Sequence, residues 1–145
     1  MDINETYQRN GFGPAMAKFF MLVSVEGPVP DDYADRPAPD PAAFGLPAED
    51  DGSRDDALLG LNMISLSRYR HDFTALRAVP ARIVVGVGAQ SGQMLAGRGA
   101  VAVAGRLGIT PVTFPGGHRG FLPGGGPYGG EPDAFAGILR KVLSG

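Results

Sequence analysis

The chain has 145 residues, of which 23 are Gly and 13 Pro, yet 43% are hydrophobic and the formal charge is only -2. Disordered chains combine low hydrophobicity with high net charge, so a folded domain is expected. The absence of Cys excludes disulfides, zinc–thiolate sites and a cysteine nucleophile. No apolar run approaches the ~18 residues of a membrane span. The opening Met1-Asp2-Ile3-Asn4-Glu5 lacks a basic leader, so no membrane association and a cytoplasmic location are expected. Of the 13 basic residues only Lys18 and Lys141 are lysine. With abundant Ala, Gly and Arg, that points to a GC-rich bacterial source.

In chain order, residues 5–25 place Tyr7, Phe12, Met16, Phe19, Phe20 and Val23 at three- and four-residue spacings. That period predicts amphipathic helix, interrupted at Gly11-Phe12-Gly13-Pro14. The aromatic residues read most simply as core. From Glu26 to Asp56 there are ten acidic residues against Arg36 and Arg54, a balance of -8, together with six prolines. Like charges and proline keep a chain open, so residues 27–55 are expected to be a long, partly disordered linker loop. A calcium or magnesium site is the alternative use of its carboxylates, but the segment lacks EF-hand spacing. Residues 55–69, with Leu58, Leu59, Leu61, Met63, Ile64 and Leu66, read as another helix.

The second half has a different pattern. Between Phe73 and Gly130 there is no Asp or Glu, which excludes two-carboxylate glycosidase chemistry within that stretch. Its five Arg are scattered, so nucleic acid is not an expected partner. Arg82–Gly88 is a β-branched run bounded by glycines and predicts a buried strand. A helix is predicted from Gly92 to Leu107 with a glycine stop at Gly108, then a strand over Ile109–Phe114. After a glycine-rich stretch to Gly130, Glu131–Leu143 predicts a closing helix with Pro132 in its first turn. Short connections favour a right-handed βαβ crossover. Two parallel strands cannot cover their own edges. The rest of the sheet is therefore expected from another chain, either an N-terminal half or a homodimer partner.

Chemistry concentrates in Phe114-Pro115-Gly116-Gly117-His118-Arg119-Gly120-Phe121. Catalytic groups of α/β sheets gather past strand C-termini, and flanking glycines let substrate approach a histidine base. A loop histidine bonded to backbone is the plainer alternative. Gly86-Val87-Gly88-Ala89-Gln90-Ser91-Gly92 hints at a dinucleotide fingerprint, but the spacing differs and no acid follows about 20 residues on. No cofactor is therefore expected. No serine has the Gly-x-Ser-x-Gly nucleophile elbow; around Ser91 the glycines would have to replace Ala89 and Gln93. His71 reads as a surface or hinge residue, and Asp72 as a helix cap.

The ordered set formed by Arg82–Gly88, Arg98 to Gly108, Ile109–Phe114, Pro115 to Phe121 and Glu131-Pro132-Asp133-Ala134-Phe135 resembles the C-terminal part of the α/β-hydrolase fold, best its bacterial esterase and epoxide-hydrolase types. The resemblance is close over residues 80–143 and loose elsewhere. It implies a partial α/β-hydrolase fold: a helical, lid-like region over residues 1–75 containing the 27–55 loop, then a βαβ–loop–α core part over 76–145. It also implies that His118 is the general base of a Ser-His-acid triad acting on a small-molecule substrate. The chain departs from the family in having no early strands and no elbow. In the loop where the acid is commonly found it has Ala89-Gln90-Ser91. The expectation is thus a truncated or split hydrolase, inactive alone, with His118 as its only catalytic residue and no metal site. The competing expectation is a non-catalytic binding or interaction module, dimeric, on a hydrolase-derived scaffold.

Overall fold

The computed structural model describes residues 2–124 and 130–145. It is a mixed α/β structure, rich in helix with a small parallel sheet, and it divides into two compact units, Met1–His71 and Asp72–Gly145.

The first unit is helical. Helix α1 (Ile3–Asn10) starts at Asp2, whose carboxylate accepts from the Glu5 N–H at 2.7 Å, and ends at Gly11 with φ +83°. That backbone is open to glycine at low cost, and it lets the chain turn directly into α2 (Phe12–Val23). A π-helical turn (Ala57–Asn62) follows later and runs into α3 (Met63–Arg68). The core joins Ile3, Tyr7, Ala15 and Leu59, with Phe12, Met16, Phe19, Leu22 and Met63 against it. Tyr7, Phe12 and Phe19 thus join the core as expected, whereas Phe20 packs on Phe44 instead. The Tyr7 hydroxyl accepts from the Asp56 N–H at 2.9 Å, and the Asn4 side-chain amide donates to the Leu59 carbonyl at 2.9 Å. Both ties hold the π-turn to α1.

The acidic segment is mostly loop, as its composition implies, but it is not held open. It forms two 3-10 turns, Tyr33–Asp35 and Pro41–Phe44, laid against α2. The reason is Lys18, which is only 1% exposed. Its ammonium donates to the carbonyls of Ala34 (3.0 Å) and Arg36 (2.8 Å), while the Tyr33 hydroxyl donates back to the Lys18 carbonyl. A buried cation must be paired or solvated by dipoles, and this stretch supplies the dipoles. The prolines stiffen the path, and the charges face water. Asp50 accepts two hydrogen bonds from the Arg54 guanidinium and one from the Gly52 N–H, which hold its carboxyl down to about 2. Among the described residues, the carboxylates do not gather into a three-ligand metal group.

Burial pushes the Tyr33 phenol up to about 12. The neutral form is favoured in the folded chain, so this contribution to stability is complete below about pH 10, the ordinary phenol value. It is lost as pH rises from about 10 towards about 12. Chemical denaturation across roughly pH 8–11.5 is expected to show the midpoint falling above about pH 10 more steeply in the wild type than in Tyr33→Phe. Parallel profiles would show that Tyr33 ionises freely.

The second unit begins with α4 (Phe73–Ala78), capped by the Asp72 carboxylate, which accepts from the Ala75 N–H at 2.9 Å as expected for a capping residue. Strand β1 (Gly86–Gly88) pairs in parallel with β2 (Val112–Phe114), Gly86 opposite Val112 and Gly88 opposite Phe114. Both strands are shorter than predicted. The ladder opens with the Val112 N–H on the Val85 carbonyl. Immediately before it stands Pro111, which has no N–H to continue it. Nor are the strands buried on both faces: Gly86 and Thr113 are exposed. Between them runs α5 (Leu95–Leu107), starting later than predicted and stopped at Gly108 with φ +74°. The Arg77 side chain donates to the Arg106 carbonyl, and the Arg106 guanidinium lies over the Phe73 ring, tying α4 to α5. Helix α6 (Pro132–Ser144) starts with Pro132 in its first turn, as predicted. No helix among the described residues is long and apolar enough to cross a membrane.

Candidate functional site

The parallel register brings the carboxyl ends of β1 and β2 together, with Gly88 opposite Phe114. Two loops leave from that edge. After β1 the chain turns tightly: the Ala89 N–H donates to the Phe114 carbonyl (2.8 Å), Gln90 to Gly116 (3.0 Å) and Ser91 to Gly88 (2.9 Å). After β2 the chain folds back on itself. Gly116 has φ +79°, and a Cβ there would sit 2.8 Å from the Gly120 Cα; a Cβ on Gly120 would strike the Pro115 carbonyl. Backbone touches backbone without intervening side chains. The Glu131 N–H donates to the Gly120 carbonyl at 3.0 Å, linking this knot to the start of α6. The glycines flanking His118 thus do more than admit substrate: they make the compact turn on which it stands.

A concavity of about 250 Å³ opens beside these loops. One wall is aromatic, formed by Phe114, Phe121 and Phe135. The Phe135 ring lies 4.7 Å from that of Phe114 and 6.0 Å from that of Phe121, centroid to centroid. The floor is the glycine backbone of β1, and the far wall is the first turns of α5 through Ala96, Gly97 and Ala100. Among the described residues, the lining contains no carboxylate, lysine or arginine; its polar side chains are His118 and Ser91. His118 is exposed at the rim, and its ring makes no hydrogen bond to a described residue. This differs from the plainer alternative, a loop histidine bonded to the backbone around it.

Ser91 is the residue that sequence reasoning passed over. It is 4% exposed and lines the concavity, and its hydroxyl has no hydrogen-bond partner among the described residues. Its Oγ lies 2.7 Å from the Cβ position of Gly88, and the Gly117 carbonyl lies 2.8 Å from the same point. Ser91 and the His118 loop therefore meet across Gly88. The elbow pattern rejects Ser91, because its place at the cavity comes from the pairing of two strands well separated along the chain rather than from its flanking residues.

Neither His71 nor Asp72 is among the residues that line the cavity. The His71 ring stands edge-on to Tyr69 at 4.9 Å, and Asp72 caps α4. Compared with protein-family models, curated proteins and solved structures, the chain shows no match, and its site is read from its own geometry.

Proposed function

We propose that residues 80–143 form the histidine-bearing part of an α/β-hydrolase-type site, with His118 as general base in the hydrolysis of a small ester or epoxide. The observation that carries the reading is the position of His118. It follows the carboxyl end of a parallel strand, on a glycine turn, beside a cavity with an apolar wall. That is where the side chains of α/β folds do chemistry. A neutral imidazole there accepts the proton of an attacking hydroxyl and returns it to the leaving group. No carboxylate of the described residues lines the cavity to orient the imidazole, so turnover by this chain is slow compared with a complete triad. An elbow serine from another polypeptide would complete the triad; in the chain alone His118 can act only by deprotonating a water that attacks a reactive ester, which is slower still. A cavity of about 250 Å³ suits acyl groups of a few carbons or a single ring. In a series of p-nitrophenyl esters, acetate and butyrate are expected to be hydrolysed faster than decanoate. Equal rates across the series, matching buffer alone, would sink the reading.

A second reading is a binding or interaction module that retains the scaffold without turnover, and one observation favours it. The sheet has two strands, and no described residue pairs with the outer edge of either. Within the same unit Leu143 is 76% and Val101 54% exposed. Open strand edges beside exposed apolar side chains are covered by another chain in stable proteins. Light scattering on the purified chain separates monomer from dimer, and a dimer that binds esters without hydrolysing them would favour this reading.

A further inference from the structure

We infer that the cavity is a carboxylate-binding site, in which Ser91 and the first turn of α5 hold the anionic head of a small aromatic or branched acid. Three observations converge on it. First, α5 is 13 residues long and its N-cap, Met94, provides no side-chain hydrogen bond. The first-turn N–H groups of a helix have no intrahelical acceptor and lie at the positive end of its dipole, which favours an anion. Ala96 and Gly97 place that turn in the cavity wall.

Second, Ser91 stands against the same turn. Its Cβ is 3.0 Å from the Cβ position of Gly97, and, although the residue is only 4% exposed, its hydroxyl has no partner among the described residues. Described side-chain oxygens and nitrogens that are wholly cut off from solvent all have partners. The Ser91 oxygen is therefore not sealed off, and because Ser91 lines the cavity its O–H is available to a ligand there. A hydroxyl facing a largely apolar cavity has few competing acceptors, so a ligand acceptor at that point is favoured.

Third, the surroundings suit a monoanion with an apolar body. The described lining has no carboxylate to repel it, and the sequence holds no Asp or Glu from Phe73 to Gly130. The nearest acids along the chain, Asp72, Glu131 and Asp133, are not part of the lining. Nor does the lining hold a cluster of cations, as a dianionic phosphate would require. Phe114, Phe121 and Phe135 offer ring faces and edges to an aromatic or branched chain.

This site shares the cavity with the proposed hydrolysis but needs no turnover, so the two stand or fall separately. The test is titration of the purified chain with sodium benzoate, followed by amide chemical shifts. Benzoate is expected to shift the amides of Ser91, Ala96 and Gly97 first. Benzamide, the same shape without charge, and inorganic phosphate are each expected to bind at least tenfold more weakly. Ser91→Ala is expected to weaken benzoate about tenfold, the loss of one hydrogen bond to a charged group. Benzamide binding as tightly as benzoate, phosphate shifting the same amides as strongly, or no shift at Ala96 and Gly97 in the wild type would each overturn the inference. Unchanged benzoate affinity in Ser91→Ala would do the same.

Discussion

Gly13→Ala is expected to lower the stability of the first unit by about 3 kcal/mol, the upper end of overpacking costs. A Cβ at Gly13 would run into the Pro47 carbonyl, and the Pro41 Cβ lies 3.3 Å away. Neither neighbour is the flexible end of a side chain. Pro47 is anchored by its own ring, and Pro41 opens the second 3-10 turn. The methyl can be admitted only by lifting residues 41–47 off α2. In thermal unfolding this should appear as a fall of about 12–24 °C in the transition of that unit. A transition unmoved by Gly13→Ala would mean that the acidic segment is not laid on α2 in solution. Gly27→Ala makes a useful comparison. Nothing stands within 4 Å of its Cβ position, although φ is +83°, so its cost comes from backbone strain alone.

Gly88→Ala is expected to destroy the site while costing the fold about 1–3 kcal/mol. A methyl there meets Ser91 Oγ at 2.7 Å and the carbonyls of Gly116 and Gly117 at 2.8 Å each. These are the two loops that enclose the cavity. Relief requires the His118 loop and the Ser91 turn to separate, which breaks the Gln90 N–H bond to the Gly116 carbonyl. Benzoate binding and ester hydrolysis should both fall at least tenfold, while the far-UV circular dichroism, dominated by the chain's helices, changes little. Wild-type binding and hydrolysis in Gly88→Ala would show that the loops do not meet across that glycine.

The helices were the legible part of the sequence. Tyr7, Phe12, Met16 and Phe19 lie at helical spacing and do face the core, and Gly108, Pro132 and Asp72 mark helix ends as their chemistry dictates. The acidic segment is legible as loop, but its charge and proline content describe only its solvated side. The burial of Lys18 depends on backbone carbonyls at positions 34 and 36, which composition does not register. Strand lengths were overestimated because a β-branched run such as Ile83-Val84-Val85 fixes a preference, whereas the ladder length depends on the partner, and Pro111 shortens it. At the site, His118 announces itself by its place between glycines. Ser91 does not, since a serine in a polar turn is ordinary until β2 is set beside β1. The shape of the cavity also rests on Phe135, in the closing helix, whose ring reaches back to Phe114.

The central claim is that His118 acts on bound substrate as a base. It is tested most directly by kcat/KM for p-nitrophenyl acetate in the wild-type chain and in His118→Ala, with circular dichroism confirming that both are folded. Removing a general base typically costs about 10²–10⁴-fold in rate. Working without an orienting carboxylate, His118 should lie at the low end, so the expected result is slow hydrolysis above buffer that falls about 100-fold in the variant. Equal kcat/KM in the two proteins would contradict that role.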